Sequence, residues 1–424
     1  MKIRNISEKE YNNFIKGYKD SLFFQSVEWG NFKAKTNWDM ELIGYGDSKK
    51  IYAVAMLLSQ NVPVIRKKLY YCPRGFILDY SNLDLLEKFT SELRKYLKQK
   101  KALFLKINPY IIYQDRDKDG NIIGKNEDEL IEFLKKLGYK HYGFYKNFED
   151  KKDLEPRWLS VLDLEDKSVD ELLKNMNSTT RWLINKSQKN CISIEDATYD
   201  ELIEYKKLMN HTSERRNFQD RPLSYYQTMY KELSKNNMIR ILFGKIDLKQ
   251  LKTTLSNDKK HLEERVKNIE NNSKKSSQVQ EYNSQISSLE NRIIEIDELI
   301  NSYGLNPIIA TGVYLEYGDQ IVYLFGGSYK EFMKYGAQYL MQYEMIKYAK
   351  DKKYKKLNFY GIDGNFEKNS KYYGLFDFKR GFNANVVELV GEFDLVINKF
   401  NYILYNIMFK TYKLFKKIKL FIRK

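Results

Sequence analysis

The 424-residue chain is poor in cysteine, histidine and proline, with two, three and six of them respectively. Cys72 and Cys191 are too few for a disulfide framework, and the cysteines and histidines lack the spacing of a structural zinc site. No segment is apolar over the roughly 18 residues that a membrane-spanning helix needs. The polar N-terminus also lacks the apolar stretch of a secretory signal. We therefore expect a cytoplasmic protein without a metal site.

Acidic residues are outnumbered by basic ones, since 56 Asp and Glu stand against 73 Lys and Arg, for a formal net charge of +17. This imbalance predicts a polyanionic partner, which is a nucleic acid, an anionic membrane surface or a phosphate-bearing substrate. Charge alone does not choose among these three. The hydrophobic fraction of 42% and the length predict two or three domains with cores of their own.

A heptad-patterned segment, from about Leu248 to Ile300, interrupts a β-rich region. Its apolar residues recur at alternating steps of three and four, which predicts two helices that share one buried seam. The polar stretch Asn271–Ser277 suits the turn at the tip of an antiparallel hairpin. The flanking runs Met238–Ile246 and Pro307–Tyr317 would be neighbouring strands without this insertion. Taken alone, the coil fits dimerisation or bracing as well as it fits nucleic-acid binding.

The predicted element order occurs twice along the chain. The first half predicts three strands, a helix and a buried strand, at Met40–Gly46, Ile51–Ser59, Lys68–Cys72, Leu86–Leu97 and Ala102–Ile107. The second half predicts the same order at Met238–Ile246, Pro307–Tyr317, Gln320–Phe325, Glu331–Lys350 and Lys355–Tyr360. Two further helices are predicted before it, at Ser168–Lys186 and Thr198–His211. This order is that of the GNAT acyltransferase fold.

The expected fold is therefore α/β (α+β), with two tandem GNAT-like acyltransferase domains and an antiparallel coiled-coil arm inserted in the second. The predicted boundaries are 1–152 for the first domain, 153–246 with 305–395 for the discontinuous second domain, 247–304 for the arm and 396–424 for a terminal helix. GNAT enzymes hold coenzyme A with a glycine-rich turn at a helix N-terminus. The corresponding stretch here, Tyr335–Leu340, has one glycine, which disfavours coenzyme A.

Four segments follow one another in an order that resembles the FemABX family, whose members carry an amino acid from aminoacyl-tRNA to a peptidoglycan precursor. Phe24–Lys33 resembles the family's Q-S-x-x-W-x-x-x-K signature, and Tyr71–Tyr80 resembles its P-R-G-P strand end. Thr212–Phe218, with Arg221 and Tyr225, is similar to its T-x-E-R and R-x-x-x-Y segment. Leu375–Phe382 and Glu388–Asp394 resemble its F-K-x-G-F and G-E-x-D ending.

The resemblance implies that Lys33 and Arg221, with Tyr225 beside them, bind the diphosphate of the precursor. Arg74 is a further candidate, because arginine grips phosphate as a fork and lysine binds it as a point charge. Tyr323 is a candidate substrate-binding residue as well.

Aminoacyl transfer requires an amine to attack an ester, so positioning and oxyanion stabilisation can supply most of the catalysis. The resemblance implies that Lys379, in the Phe378–Lys379 pair, stabilises this oxyanion. Asn108 stands where family members often carry an acidic residue, and an amide cannot act as a general base. We expect Asn108 to orient the acceptor amine by hydrogen bonding.

The arm resembles the tRNA-binding arm of seryl-tRNA synthetase. Its first helix carries the expected tRNA contacts, which are Lys252, Lys259, Lys260, Arg265 and Lys267. Arg181 and Lys186, on a basic helix, would add electrostatic support.

The terminal segment places apolar residues on one helical face, among them Phe400, Ile403, Leu404 and Ile407, opposite a basic face with Lys410, Lys413, Lys416, Lys417, Lys419 and Arg423. This pattern predicts contact with the inner face of an anionic membrane. The alternative is a helix that packs on the body of the protein.

Taken together, these features predict an aminoacyltransferase of cell-wall bridge synthesis, with aminoacyl-tRNA as co-substrate and no other cofactor. Its acceptor would be lipid II or UDP-MurNAc-pentapeptide. Two alternatives remain open, a coenzyme A-dependent GNAT N-acyltransferase and a non-catalytic RNA-binding protein. The identity of the transferred amino acid is not encoded in any recognisable motif.

Overall fold

A computed structural model describes residues 1–18, 22–47, 49–62, 64–146, 148, 154–269 and 275–422, with side chains up to residue 409 and at residue 411. The strands are β1 (Lys2–Asn5), β2 (Asp39–Gly46), β3 (Ile51–Val62), β4 (Lys67–Cys72), β5 (Ala102–Ile107), β6 (Ile112–Arg116), β7 (Ile122–Asn126), β8 (Tyr139–His141), β9 (Trp158–Asp163), β10 (Ile192–Asp196), β11 (Ile239–Ile246), β12 (Ile308–Tyr317), β13 (Gln320–Ser328), β14 (Lys356–Gly361), β15 (Asn385–Leu389) and β16 (Phe393–Val396).

The helices are α1 (Glu8–Ile15), α2 (Val27–Ala34), α3 (Leu83–Gln99), α4 (Asp128–Lys136), α5 (Val169–Asn175), α6 (Ser178–Lys189), α7 (Leu202–Arg216), α8 (Leu223–Leu233), α9 (Leu248–Ile269), α10 (Ser276–Tyr303), α11 (Ala337–Asp351), α12 (Tyr373–Arg380) and α13 (Lys399–Ile422).

The predicted repeat is confirmed. Strands β2, β3 and β4 pair in antiparallel order, and α3 then crosses to β5, which pairs parallel with β4. Strands β11, β12 and β13 pair in the same way, and α11 crosses to β14, which is parallel to β13. Each half therefore contains one parallel pair, as the GNAT order requires.

The two sheets exchange strands near the middle of the molecule. One sheet has the order β1-β2-β3-β4-β5-β16-β8, and the other has the order β10-β11-β12-β13-β14-β9-β15-β6-β7. Strands β6 and β7 precede the expected boundary at residue 152 but belong to the second sheet, while β16 returns to the first. The expected division of the chain at residue 152 therefore does not coincide with the division between the sheets.

Three large hydrophobic clusters hold these layers together. One lies between the first sheet and α3, where Leu86, Phe89, Leu93 and Leu97 are fully buried. A second lies between the second sheet and α11. The third contains residues from both halves, among them Trp29, Tyr71, Tyr226 and Val313. Burial of apolar surface in this shared cluster joins the two halves at the place where the candidate site lies.

The arm is an antiparallel pair of helices, α9 and α10, inserted between the adjacent strands β11 and β12. Leu251, Leu255, Ile296 and Leu299 are buried at its base, and the remaining heptad positions stay partly covered toward the tip. Of the predicted tip turn, residues 271–274 lie outside the described residues. The heptad pattern thus predicted the seam correctly.

Two predicted helices begin or continue differently. The segment Ser168–Lys186 is not one helix, because Ser168 caps α5 and Asn177 caps α6, with Met176 extended between them. The helix expected from Glu331 begins only at Ala337, after a left-handed Gly336 with φ of +83°. An asparagine side-chain cap starts α6, and a left-handed glycine turn precedes α11, so a local backbone feature inside an apolar-periodic stretch decides both cases.

The terminal helix α13 is anchored through its tyrosines. The Tyr402 hydroxyl donates to Asp394 (2.7 Å), and the Tyr402 and Tyr405 rings contact Phe104. The apolar residues of the predicted face remain exposed instead, with Phe400 at 78%, Ile403 at 60% and Ile407 at 54%. The side chains of residues 410 and 412–424, which include the predicted basic face, lie outside the described part. Among the residues that the structure describes, no helix is long and apolar enough to cross a membrane.

Candidate active site

The region around Lys33, Tyr225 and Tyr360, where the two halves meet, is called the cleft below. It begins at α2, which two buried polar side chains hold in place. The Gln25 amide donates to the Pro73 carbonyl (2.7 Å), and its oxygen accepts the Met56 N–H (3.0 Å). The Ser26 hydroxyl caps α2 by accepting the Trp29 N–H (3.0 Å). The Gln-Ser-x-x-Trp motif therefore fixes this helix against the end of β4.

Lys33 lies one turn after Trp29 and is half-buried. Its Nζ is 5.8 to 6.0 Å from the ring centroids of Trp29, Phe32, Trp38 and Tyr225. No described carboxylate forms an ion pair with this amine. Burial lowers the pKa of Lys33, and the like charge of Arg221 lowers it further, while Glu155 acts in the opposite direction.

Helix α8 brings the other predicted phosphate ligands to the same place. Tyr225 packs edge-to-face on Phe32 at 5.0 Å, and the Arg221 guanidinium lies 5.1 Å from the Tyr225 ring. Arg221 is exposed, and it has no ion pair among the described residues. Burial raises the pKa of Tyr225 to about 12, so its hydroxyl remains a donor at neutral pH. The structure therefore brings Lys33, Arg221 and Tyr225 together around a site that suits an anion.

Arg74 and Asn108 are more deeply buried than Lys33 and Arg221, and a hydrogen bond joins them. Arg74 is 4% exposed and left-handed with φ of +55°, and its guanidinium donates to the Pro156 carbonyl (2.7 Å). Its backbone N–H donates to Asn108 Oδ1 (2.9 Å), while Asn108 Nδ2 donates to the Tyr71 hydroxyl (3.1 Å). Asn108 is 2% exposed. Both polar atoms of the Asn108 amide thus have partners within the protein, and its contact with an acceptor amine stays a prediction. Arg74 adds positive charge beneath the cleft.

A bulge in β14 directs Tyr360 into the same cleft. The pairing of β14 with β9 shifts register between Asn358 and Tyr360, and Tyr360 takes a left-handed φ of +64°. Its ring stacks on Phe24 at 6.2 Å, and its hydroxyl donates to the Glu155 carboxylate. Burial raises the pKa of Glu155, although Arg74, the Tyr360 hydrogen bond, Lys33 and Arg221 all lower it.

Lys379, the expected oxyanion-stabilising residue, is buried near the last turn of α12. It is 4% exposed, and its Nζ donates to the Gly361 carbonyl (2.6 Å). No carboxylate pairs with it among the described residues, and burial alone lowers its pKa to about 7. A lysine in this state holds its proton loosely, as lysines with catalytic roles often do.

A cavity of about 390 Å³ lies on the neighbouring face of α12. Phe378 and Tyr323 both line it, so the structure brings two more predicted residues together. The Tyr323 hydroxyl donates to Gln338 (3.1 Å), whose amide nitrogen is bound to the carbonyls of Thr311 and Gly327. Arg215 and Arg216 complete a wall that is otherwise largely aromatic and apolar.

The turn before α11 does not offer the open cradle that coenzyme A would need. A Cβ at Gly336 would stand 2.9 Å from the Leu183 carbonyl oxygen, because α6 packs directly on this turn. This crowding agrees with the scarcity of glycine noted in the sequence and disfavours the coenzyme A alternative. No group of three or more His, Cys, Asp or Glu side chains among the described residues is arranged to hold a metal ion.

The basic residues of the arm divide into two groups. Lys252 pairs with Asp297 (2.5 Å) and Lys259 with Glu290 (2.7 Å), so both join the two helices across the seam. Lys260, Arg265 and Lys267 are exposed, and no described acidic residue pairs with them. Near the base of the arm, Lys186 lies 4.6 Å from the ring of Trp182, which is 57% exposed. Within the described part of the arm, positive charge without an acidic partner therefore lies at Lys260, Arg265 and Lys267.

Glu155 and Tyr360 were not identified in the sequence, since neither belongs to a recognisable motif. The run Asn358-Phe359-Tyr360-Gly361 reads as the end of a strand, and only its left-handed backbone marks it as unusual. Glu155 precedes a proline and follows residues that form no periodic pattern.

Comparisons with known proteins agree over nearly the whole chain. The FemAB family matches residues 6–410. The aminoacyltransferase FemA of Staphylococcus aureus strain MRSA252 is 31% identical over 418 residues, which cover 97% of this chain and 99% of FemA. FemA of strain COL gives the same identity and coverage. The crystal structure of FemX superposes with a TM-score of 0.74 at 26% identity, covering 95% of this chain and 99% of FemX.

Proposed function

The chain belongs to the FemAB family and is an aminoacyltransferase, and from this premise we propose that it transfers an amino acid from aminoacyl-tRNA to an amine of a peptidoglycan precursor. The observation that carries the proposal is the convergence of Lys33 and Arg221, from distant parts of the chain, on a cleft next to the buried Lys379. Two cations that no described carboxylate pairs with suit a diphosphate, which both lipid II and UDP-MurNAc-pentapeptide contain.

The path from the cleft to Lys379 is short. Tyr360 faces the cleft and the next residue, Gly361, accepts the hydrogen bond of Lys379. A precursor held by its diphosphate at Lys33 and Arg221 would therefore extend its stem peptide toward Gly361. This arrangement supports a reaction in which the acceptor amine reaches the ester close to Lys379.

The cavity beside Phe378 is suited to the aminoacyl end of the donor. Its aromatic wall offers stacking surfaces, and Arg215 and Arg216 offer positive charge to the phosphates of a nucleotide. The amine then attacks the ester carbonyl, the C–O bond to the ribose breaks, and the ribose oxygen takes up a proton. The Lys379 ammonium lowers the barrier by stabilising the oxyanion that forms in between.

The arm and the terminal helix support the choice of substrates. Lys260, Arg265 and Lys267 on the outside of α9 would contact tRNA phosphates, while Lys252 and Lys259 contribute less because acidic residues already pair with them. The exposed Phe400, Ile403 and Ile407 would lie on the membrane surface at which lipid II is found.

The proposal is tested by mixing the protein with a panel of radiolabelled aminoacyl-tRNAs and either precursor. We expect one charged tRNA to donate its label to the precursor. Indifference to every charged tRNA, together with transfer from an acyl-coenzyme A, would show that the coenzyme A alternative is correct. Binding of tRNA without transfer to either precursor would favour the RNA-binding alternative.

A further inference from the structure

One carboxylate in the cleft has no role in the proposed function. Glu155 is half-buried, and it lies within the field of three cations, Lys33, Arg74 and Arg221. No salt bridge joins it to any of them among the described residues. Its direct partner is instead the Tyr360 hydroxyl. A carboxylate held by a neutral donor keeps acceptor capacity for a second hydrogen bond, which a bidentate pair with an arginine would use up.

The chain around Glu155 leads directly to the Lys379 anchor. Pro156, the next residue, accepts the Arg74 guanidinium at its carbonyl (2.7 Å). The Pro156 ring packs so closely on Gly361 that a Cβ there would stand 2.6 Å from it. Gly361 in turn accepts the hydrogen bond from Lys379 (2.6 Å). Glu155 and Lys379 thus both hydrogen-bond to the same two-residue segment, Glu155 to Tyr360 and Lys379 to Gly361.

The backbone around this segment is unusual in a way that favours a functional role. Arg74 contacts Pro156 and has a left-handed φ of +55°. Tyr360 contacts Glu155 and has a left-handed φ of +64°. Such conformations cost roughly 1 to 3 kcal/mol for residues other than glycine and concentrate at functional sites. Here one of them belongs to Tyr360, which hydrogen-bonds to Glu155, and the other to Arg74, which hydrogen-bonds to the adjacent Pro156.

We propose that Glu155 is the proton acceptor for the amine of the precursor. The acceptor arrives mainly as an ammonium ion, because the pKa of an alkyl amine is about 10. Its proton passes to the Glu155 carboxylate, and the neutral amine forms the C–N bond with the ester carbonyl. When the C–O bond to the ribose breaks, the second proton moves from nitrogen to the ribose oxygen. Glu155 then releases its proton to solvent.

This inference rests on the proposed function and supplies the carboxylate that position 108 lacks. The alternative role for Glu155 is that of an internal counterion, which occupies the cationic cleft until a diphosphate displaces it. The two roles predict opposite effects. Removing a counterion strengthens precursor binding and leaves turnover unchanged, whereas removing a base lowers turnover and changes its dependence on pH.

The deciding variant is Glu155→Gln, which keeps the size of the side chain and an oxygen for the Tyr360 hydrogen bond. We expect kcat at pH 7 to fall about 100-fold, the lower end of the range for a lost general base, while KM for UDP-MurNAc-pentapeptide stays the same or decreases. With rising pH, wild-type kcat should level off once Glu155 is ionised, at a higher pH than for an ordinary glutamate because burial raises the pKa of Glu155. The kcat of the variant should keep rising tenfold per pH unit, in proportion to the free amine.

Tyr360→Phe provides a second measurement with a direction of its own. The Tyr360 hydrogen bond lowers the pKa of Glu155, so its loss should move the acid limb of kcat to higher pH. The matched controls are Glu316→Gln and Tyr348→Phe, from a glutamate–tyrosine pair at 3.1 Å on the far side of the second sheet, and they should leave kcat and its pH profile unchanged.

The outcomes separate the inference from the function on which it rests. If the wild type transfers the amino acid but Glu155→Gln changes only KM, or leaves the pH profile as it was, Glu155 is not the proton acceptor and the transferase assignment stands. If the wild type fails to transfer from any charged tRNA to either precursor, the proposed function falls and this inference falls with it.

Discussion

Replacing Lys379 by methionine should make the protein more stable and far less active. The reason lies in the pKa of Lys379, which burial lowers from the ordinary 10.5 to about 7. The shift spans roughly 3.5 units, and at about 1.4 kcal/mol per unit it corresponds to roughly 5 kcal/mol of unfavourable free energy at neutral pH. Methionine is free of this cost but also loses a hydrogen bond worth about 1 kcal/mol. We expect a net gain of roughly 4 kcal/mol in the free energy of unfolding.

The pH dependence gives the sign of the effect independently. Between pH 7 and 10.5 the unfolded chain holds a proton on Lys379 that the folded chain has released, so wild-type stability should rise with pH across this window. The Lys379→Met variant should lack this rise. Urea denaturation at pH 7, 8 and 9 measures both the gain and the slope.

Turnover should change in the opposite direction. Removing one oxyanion-stabilising donor costs about 100- to 1,000-fold in kcat, and we expect this loss for Lys379→Met with little change in KM for the precursor. Since only the protonated lysine stabilises the oxyanion, wild-type kcat should decline as the pH rises through about 7.

The control is Lys350→Met, because Lys350 also donates to a backbone carbonyl, that of Leu164 (2.8 Å), but lies on α11 away from the cleft. Its kcat should equal that of the wild type. A Lys379→Met protein that is less stable than the wild type, or one whose kcat and KM worsen equally, would refute the reasoning.

Three further outcomes follow from the same structure. Lys33→Met should raise KM for UDP-MurNAc-pentapeptide about tenfold or more, since a hydrogen bond to a charged group contributes about 1.5 to 3 kcal/mol. Steady-state kinetics that show only a loss of kcat would contradict the role of Lys33 in binding the diphosphate. Changing Lys260, Arg265 and Lys267 together to alanine should reduce the slope of log tRNA affinity against log salt concentration by about 2 to 3. The double variant Lys252→Ala with Lys259→Ala should change this slope less. Equal slopes for the two variants in filter-binding assays would contradict the role of the arm in tRNA binding. Changing Phe400, Ile403 and Ile407 to serine should abolish co-sedimentation with anionic liposomes. Serine at the exposed Ile122 and Ile123 is the control and should leave co-sedimentation unchanged. If the triple variant still binds liposomes, another surface of the protein contacts the membrane.

The fold was predictable where one period dominates a segment. The heptads of the arm, the apolar face of α3 and the paired strands around both crossover helices could all be read from spacing. Helix breaks were missed because one residue, the capping Asn177 or the left-handed Gly336, outweighs the apolar period around it. The exchange of β6, β7 and β16 between sheets was also missed, since the register of distant strands depends on contacts that no local pattern records.

The candidate site was partly predictable for a similar reason. Lys33, Arg221, Tyr225 and Lys379 belong to motifs, and the structure places the first three together. Asn108 also stood out by position; its amide is hydrogen-bonded to Arg74 and Tyr71, and its role toward the acceptor amine stays a prediction. Glu155 could not be found, because its environment is created by Tyr360, near the end of β14, and by Arg74, in the turn after β4, both with left-handed backbones.

The most direct test of the central claim is the mass of the precursor after reaction. UDP-MurNAc-pentapeptide, and lipid II in detergent, would be incubated with the panel of aminoacyl-tRNAs and either wild-type protein or Lys379→Met, and the products analysed by mass spectrometry. The proposed function predicts that the wild type adds one aminoacyl residue to a precursor and that the variant adds almost none in the same time. Precursors of unchanged mass with wild-type protein and every charged tRNA would contradict it.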